Sequence, residues 1–401
     1  MAASKNINIF TFLLSVAMIF AMGARHFDNT ALRLASYISE CSLIIFCLIC
    51  SNSSSIHNNV LRNKYVIIVT VLLTSNYIIS PNNPVYSDLL KFFGYLCCFK
   101  YGNNLSRKYE SINASNNLLF ILIVVPLLAV AFLDNSLLKN SFFKTPNGFV
   151  YTGVSMGLFF LILKGRVKKY FYTAIIIVAC YILICTSLGV VAAAVASFLL
   201  LNLKRTHIPY LLVGGTIIMI VVFYVDIPLF VRIRDVIAVW KAMTPDDWKN
   251  IEDISTLELS QRVNTVGERT DTTSSIWRLA HWVKILKAYL VEVWSIPFGL
   301  GAGYAVEKTG NAPHNDYLLI LSEYGLVVFS LFLKMIKTIY RRMKSEGMLI
   351  YFILTMFIYH FTENLIDNFP PNAIFYFSLG WCVYKFNNTS DNNRTHLYHN
   401  M

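Results

Sequence analysis

Apolar residues occur in blocks of 16 to 20 along this chain, separated by short polar stretches. Crossing a bilayer core takes about 20 residues of helix, whereas a membrane barrel would show strands of about 10 alternating residues. The blocks therefore predict helical spans, near 8–24, 34–50, 63–80, 86–102, 117–134, 147–163, 169–185, 187–203, 209–227, 316–336, 347–362 and 371–386. About twelve spans make an all-α, polytopic transmembrane fold. The first block follows a single Lys5, lacks a clear small-residue cleavage site and precedes eleven others, so it reads as a span and not as a removed signal.

One segment breaks the pattern. Residues 228–315 are polar and carry ten Lys/Arg and ten Asp/Glu. The chain thus divides into spans 1–9 (1–227), a large loop (228–315), spans 10–12 (316–386) and a tail (387–401).

Composition agrees with this division. The chain is 56% hydrophobic and 14% charged, with mean hydropathy +0.55, against roughly 45–50% and 25% in soluble domains. A soluble enzyme, a nucleic-acid-binding domain and a secreted disulfide scaffold are excluded. All eight cysteines (41, 47, 50, 97, 98, 180, 185 and 382) lie in or beside spans. Neither a disulfide framework nor a zinc cluster is expected, and Cys97-Cys98 read as small apolar packing residues.

The net charge of +12 bears first on orientation. With the N-terminus inside, the loops on that side hold 19 of the 34 basic residues, including Lys164, Arg166, Lys168 and Lys169, and Lys334, Lys337, Arg341, Arg342 and Lys344. The short loops opposite hold only Arg25, Arg33, Lys139 and Lys144. The positive-inside rule then puts both termini in the cytoplasm and the 228–315 loop outside.

Polar groups are densest from Trp277 to Gly325. WRLAHWVKILKAYLVEVW (277–294) has helical character, with Arg278, His281, Lys284 and Lys287 recurring every three residues and drifting across about half the circumference. Such a helix either anchors at the headgroups or sets its cations on the phosphates of a lipid-linked substrate, where the planar guanidinium binds oxyanions bidentately. PFGLGAGY (297–304) follows, its glycines allowing tight turns without forming a dinucleotide fingerprint. Next, Ala312-Pro313-His314-Asn315-Asp316 leads into the tenth span, with Asn315 or Asp316 as helix cap. His314 at that edge either caps or is exposed to solvent, or accepts a proton from a sugar hydroxyl.

Arg278 ahead of an amphipathic helix, Pro297-Phe298-Gly299-Leu300-Gly301, and His314-Asn315 followed after nine further residues by Gly325 resemble the membrane family of O-antigen ligases and O-antigen polymerases. Its pattern is His, then Asn, Ser or Gln, nine variable residues and Gly. The motif match covers about 55 residues. Elsewhere the likeness is one of span number and of a single large loop late in the chain.

The resemblance implies transfer of a glycan from an undecaprenyl-pyrophosphate carrier to a sugar hydroxyl, at the periplasmic face of the bacterial inner membrane. It implies no cofactor, metal or nucleotide sugar. His314 would be the general base, and Arg278 would stabilise the departing pyrophosphate. The partners implied are the carrier-linked glycan, an acceptor (a carrier-linked repeat unit or lipid A core) and membrane lipids, with room for a chain-length regulator and no part for nucleic acid. Asn315 and His281 join the site as substrate-binding candidates.

Two departures from the family pattern stand out. Many members place an arginine after a Ser-rich step in a mid-chain span, whereas Cys185-Thr186-Ser187-Leu188-Gly189-Val190 has none. A second pyrophosphate contact then falls to Arg262, Arg269 or Arg234, each of which is otherwise a solvated loop charge. After Gly325 stand Leu326-Val327-Val328, where ligases favour a small residue or Tyr. Both departures weigh toward a polymerase of O-antigen or capsule repeats, with the ligase as the alternative.

Other polar groups lie near the same face. Glu323, in the second turn of the tenth span, reads as a protonated or hydrogen-bonded structural group. Lys91 reads as a snorkelling anchor, and the Pro81-Asn82-Asn83-Pro84 turn with Tyr86 and Asp88 as a rim. His360, Glu363 and Asp367 are either solvated rim or acceptor contacts. A transporter of lipid-linked oligosaccharide is the rival class. It calls for related halves and mid-membrane charges, and this chain shows neither.

Overall fold

The computed structural model describes residues 6–14, 16–17, 20, 30–52, 64–82, 86–108, 188–202, 208–226, 228–262, 273–343, 348–364, 366, 369–370 and 372–381. The helices are α1 (Thr30–Asn52), α2 (Lys64–Ile79), α3 (Tyr86–Lys108), α4 (Leu188–Asn202), α5 (Ile208–Tyr224), α6 (Pro228–Lys241), α7 (Pro245–Lys249), α8 (Thr256–Arg262), α9 (Ser274–Val291), α10 (Ser295–Phe298), α11 (Tyr304–Thr309), α12 (Asp316–Met343) and α13 (Met348–Tyr359). Residues 6–14 and 372–381 are also helical, and no strand occurs among the described residues. The chain is all-α. Thr30–Ser51 and Asp316–Lys334 are the two helices among the described residues that are long and apolar enough to cross a membrane. The spans expected at 117–134, 147–163 and 169–185 lie outside the described residues, as does Arg269.

Helices α1 and α3 pack together, and small residues let them approach. Buried Cys47 and Cys98 meet with sulfurs 3.9 Å apart, and the Asn104 amide donates to the Ser51 carbonyl at 3.0 Å. Helix α3 also crosses 372–381 at two glycines. A Cβ on Gly102 would come within 2.1 Å of the Phe377 carbonyl oxygen, and one on Gly380 within 1.9 Å of that of Phe99. Glycine–carbonyl contact of this kind is how helices associate where lipid is as apolar as the side chains. An aromatic stack of Tyr95 on Phe369 and Tyr376 (5.4 and 4.9 Å) continues this core. Beyond it, α13 packs on α4, with Thr355 donating to Ser197 at 3.0 Å.

The opposite flank of α1 stays bare. Leu34, Ile38, Ile45 and Ile49 are all exposed there, an apolar stripe of the kind that faces lipid.

Several boundaries differ from those read in the sequence. The helix expected at 277–294 runs over Ser274–Val291, and the tenth span continues beyond 336 to Met343. Gly325 interrupts that helix with φ 79°, and there α12 bends. The kink is filled by the 295–301 stretch. A Cβ on Gly325 would lie 2.3 Å from the Pro297 oxygen, and one on Gly299 2.2 Å from the Glu323 oxygen. Leu300 and Gly301 donate their N–H groups to the carbonyls of Ser322 (2.8 Å) and Glu323 (3.1 Å). Helix α9 lies along the same part of α12, Ile285 packing with Leu318 and Leu319. Residues 274–313 thus form a helical hairpin strapped to the first turns of α12.

Candidate functional site

The turn that starts α12 is built by its own residues. The Asn315 side-chain oxygen accepts the Leu318 N–H at 3.0 Å and caps the helix, while the Asn315 N–H donates to the Asn364 side chain at 3.1 Å. His314, just before the cap, has φ 49°, the one positive φ outside glycine among the described residues. A side chain in that region is strained by roughly 1–2 kcal/mol and persists only where its surroundings over-determine it.

Those surroundings are visible. His314 Nδ1 lies 3.0 Å from Glu363 Oε2, and the Trp277 and His314 rings meet in a T-shaped contact with centroids 5.5 Å apart. The second oxygen of Glu363 accepts from Arg278 Nη2 at 2.7 Å, while Arg278 Nη1 donates to the Thr362 carbonyl at 3.0 Å. One carboxylate therefore joins the histidine and the arginine singled out in the sequence. Exposure is graded across the three: 10% for the Glu363 side chain, 19% for Arg278 and 37% for His314. The carboxylate is sheltered, and His314 is the most exposed of the three.

The turn 360–366 that carries Glu363 is itself fixed by Asp316. The Asp316 N–H donates to the His360 carbonyl at 2.9 Å. Its buried carboxylate takes a short hydrogen bond from His360 Nδ1 and one from the Ile366 N–H at 3.3 Å.

The remaining sequence candidates are placed differently. His281 is buried and stacks on Trp277 (5.0 Å), its Nε2 3.0 Å from the Asn311 carbonyl and 3.1 Å from the Thr309 hydroxyl. Burial pushes its pKa below the ordinary value, helped by the neighbouring His314 and Lys284. In this position it braces the 309–311 turn that leads to His314. Asn315 is buried, its side-chain oxygen engaged as the cap.

Arg234 pairs with Asp226 and donates to carbonyls at the end of α5, including Val222 at 3.0 Å. Arg262 pairs with Asp247 at 2.7 Å. The Thr244 backbone N–H, in a capping box, and Arg262 hold the Asp247 carboxyl down to about 2. Neither arginine joins the His314–Glu363–Arg278 group.

Glu323 accepts the Ala305 N–H at 3.1 Å and is structural. Lys91 pairs with Asp88 at 2.8 Å. Among the described residues, no three His, Cys, Asp or Glu side chains gather as metal ligands would.

Sequence reading placed Glu363 at this face without its role, since 49 and 85 residues separate it from its two partners. Chemically the group is a histidine oriented by a carboxylate with a guanidinium alongside, a set able to take a proton and to stabilise a departing oxyanion. No family model matches the chain, and no curated protein matches it.

Proposed function

We propose that the protein transfers an oligosaccharide from an undecaprenyl-pyrophosphate carrier to a sugar hydroxyl, polymerising O-antigen or capsule repeat units. The chain would lie in the inner membrane with about twelve spans, both termini cytoplasmic and the site periplasmic. The observation that carries the reading is the Glu363 carboxylate shared by His314 and Arg278.

With Glu363 accepting from Nδ1–H, the His314 lone pair falls on Nε2, which would serve as the base. It takes the acceptor hydroxyl proton as that oxygen attacks the anomeric carbon. The bond from that carbon to the pyrophosphate oxygen breaks, and the carrier pyrophosphate leaves with the electron pair. Arg278 has five N–H donors, and those not engaged by Glu363 and Thr362 are available to the leaving group.

The test is lipopolysaccharide banding from a host deleted for the gene and complemented with wild type or His314→Asn. Core bearing a single repeat in the deletion, restored to a ladder by wild type but not by His314→Asn, is the expected result. Core without any repeat, with long carrier-linked polymer accumulating, makes the protein the ligase. An unchanged ladder, with capsule also unchanged, overturns glycan transfer.

A further inference from the structure

Between Lys287 and Glu307 the chain carries a single charge, Glu292. In a soluble loop such a stretch would fold its large side chains inward, yet these stand out. Val291 is 79% exposed, Val293 and Trp294 76%, Phe298 64% and Leu290 62%. They sit together at the tip of the hairpin, where α9 gives way to α10.

Two further observations say what covers them. The first is continuity. Phe298 and Ile79 line one groove of about 350 Å³ together with Leu72, Tyr324 and Val327, so the patch runs into the bare apolar flanks of α2 (Ile78, Ile79) and α12 (Leu326, Val327). Those are flanks of helices that cross the bilayer on the reading above.

The second is the backbone. Irregular chain can enter a membrane only where its polar groups are satisfied by protein. Here the N–H groups of Ser295, Phe298, Gly299, Leu300 and Gly301 all donate to carbonyls. That of Ala302 donates to the Asn76 side chain at 2.7 Å. On the acceptor side, Leu300 takes the Asn82 amide at 2.9 Å and Ala302 the Ser80 hydroxyl at 2.7 Å. The irregular chain at 299–302, next to the exposed patch, is thus paired with protein, as a segment at membrane depth must be.

We propose that residues 290–298 are inserted in the outer leaflet at the boundary of headgroups and acyl chains, with lipid as their partner. Trp294 suits that depth, where an amphipathic ring is favoured, and Glu292 can extend to the headgroups. The hairpin would then be held at both ends, by lipid at its tip and by α12 along its length. The inference rests on the membrane-spanning part of the reading above and not on glycan transfer.

The test uses the full chain in proteoliposomes whose phosphatidylcholine is brominated on the acyl chains. The signal is the difference in tryptophan fluorescence between wild type and Trp294→Phe, and an Ile45→Trp variant on the bare flank of α1 serves as the spanning control. Quenching of the Trp294 share by lipids brominated near the headgroup, with little effect of aqueous acrylamide, is the expected result. Quenching of the Ile45→Trp signal while Trp294 responds only to acrylamide overturns the inference alone and makes the patch a water-facing surface. Absence of lipid quenching at both positions overturns the spanning assignment as well.

Discussion

At His314 the backbone and the chemistry can be separated. Asparagine tolerates the left-handed region better than most residues, so His314→Asn keeps the turn while removing the base. Transfer should fall by about 10²–10⁴-fold, the usual worth of a positioned general base, while thermal stability falls by no more than about 1–2 kcal/mol for the lost hydrogen bond to Glu363. Glu363→Gln probes the same atoms from the other side. An amide that donates to Nδ1 leaves the proton on Nε2 and removes the lone pair facing the acceptor. A loss on the order of 10³-fold or more is expected, as acid-to-amide changes behind a histidine base give. Full activity of Glu363→Gln in a transfer assay with purified carrier-linked glycan would rule out the carboxylate's part in orienting the base.

His281 gives the pH dependence its sign. Its folded pKa lies below its unfolded value of about 6.5, so folding favours the neutral ring. The stability it contributes is intact above about pH 6.5 and is lost as pH falls through the depressed folded value. The melting temperature in detergent should therefore drop between pH 7.5 and 5, and His281→Gln, which keeps a donor for Asn311, should drop less. Equal drops would assign the acid sensitivity to other groups.

His314 and Arg278 were legible because short motifs carry them. Glu363 was not, since nothing local distinguishes a carboxylate at a span end from solvated rim. His281 was read beside Arg278 from a spacing of three residues, which is 300° of helix, so the row from Arg278 to Lys287 turns through about half a circle. Arg278 and His281 face inward, whereas Lys284 and Lys287 are exposed.

Among elements, the hairpin and the first turns of α12 meet at a contact that tolerates only hydrogen. Gly325→Ala places a methyl 2.3 Å from the Pro297 oxygen at φ 79°. Backbone faces backbone there, so relief requires moving α10 off the kink. A cost of about 2–4 kcal/mol is expected, combining the left-handed penalty with overpacking. Gly310→Ala is the matched control. It has φ 75° but open space around the added atom, so only the conformational penalty of about 1–2 kcal/mol applies. Thermal unfolding of the two variants in detergent checks the difference, and equal losses would show that the contact at Pro297 yields freely. The pairing explains why a glycine after His314 reads as part of one motif: it docks the loop that carries the PFGLG stretch. Sequence revealed the glycine and the loop separately, because a contact 28 residues apart leaves no periodic signal.

For the whole molecule, the compartment of the site depends on how many helices cross before it. The three spans expected between 117 and 185 set that parity, and a count of two would place residues 228–315 on the same side as the N-terminus. Charge offers a check that does not pass through that count. Lys204 and Arg205 precede α5, and Lys334, Lys337, Arg341, Arg342 and Lys344 follow the apolar part of α12. Both clusters flank the site segment across one span each, and the positive-inside rule puts both in the cytoplasm. On the proposed reading, in which α5 and α12 each cross once, the segment between them would be outside whatever happens upstream. In a cysteine-free background, Thr270→Cys should react with a membrane-impermeant maleimide applied to cells with a permeable outer membrane. Thr206→Cys and Ser345→Cys should react only after the inner membrane is opened. The reverse pattern would put His314 in the cytoplasm, where nucleotide-linked donors are made, and would remove the reason for a lipid-pyrophosphate substrate. Labelling of Asn140→Cys from outside would further fix the parity of the 117–185 spans, since Lys139 and Lys144 are too few to hold that loop inside.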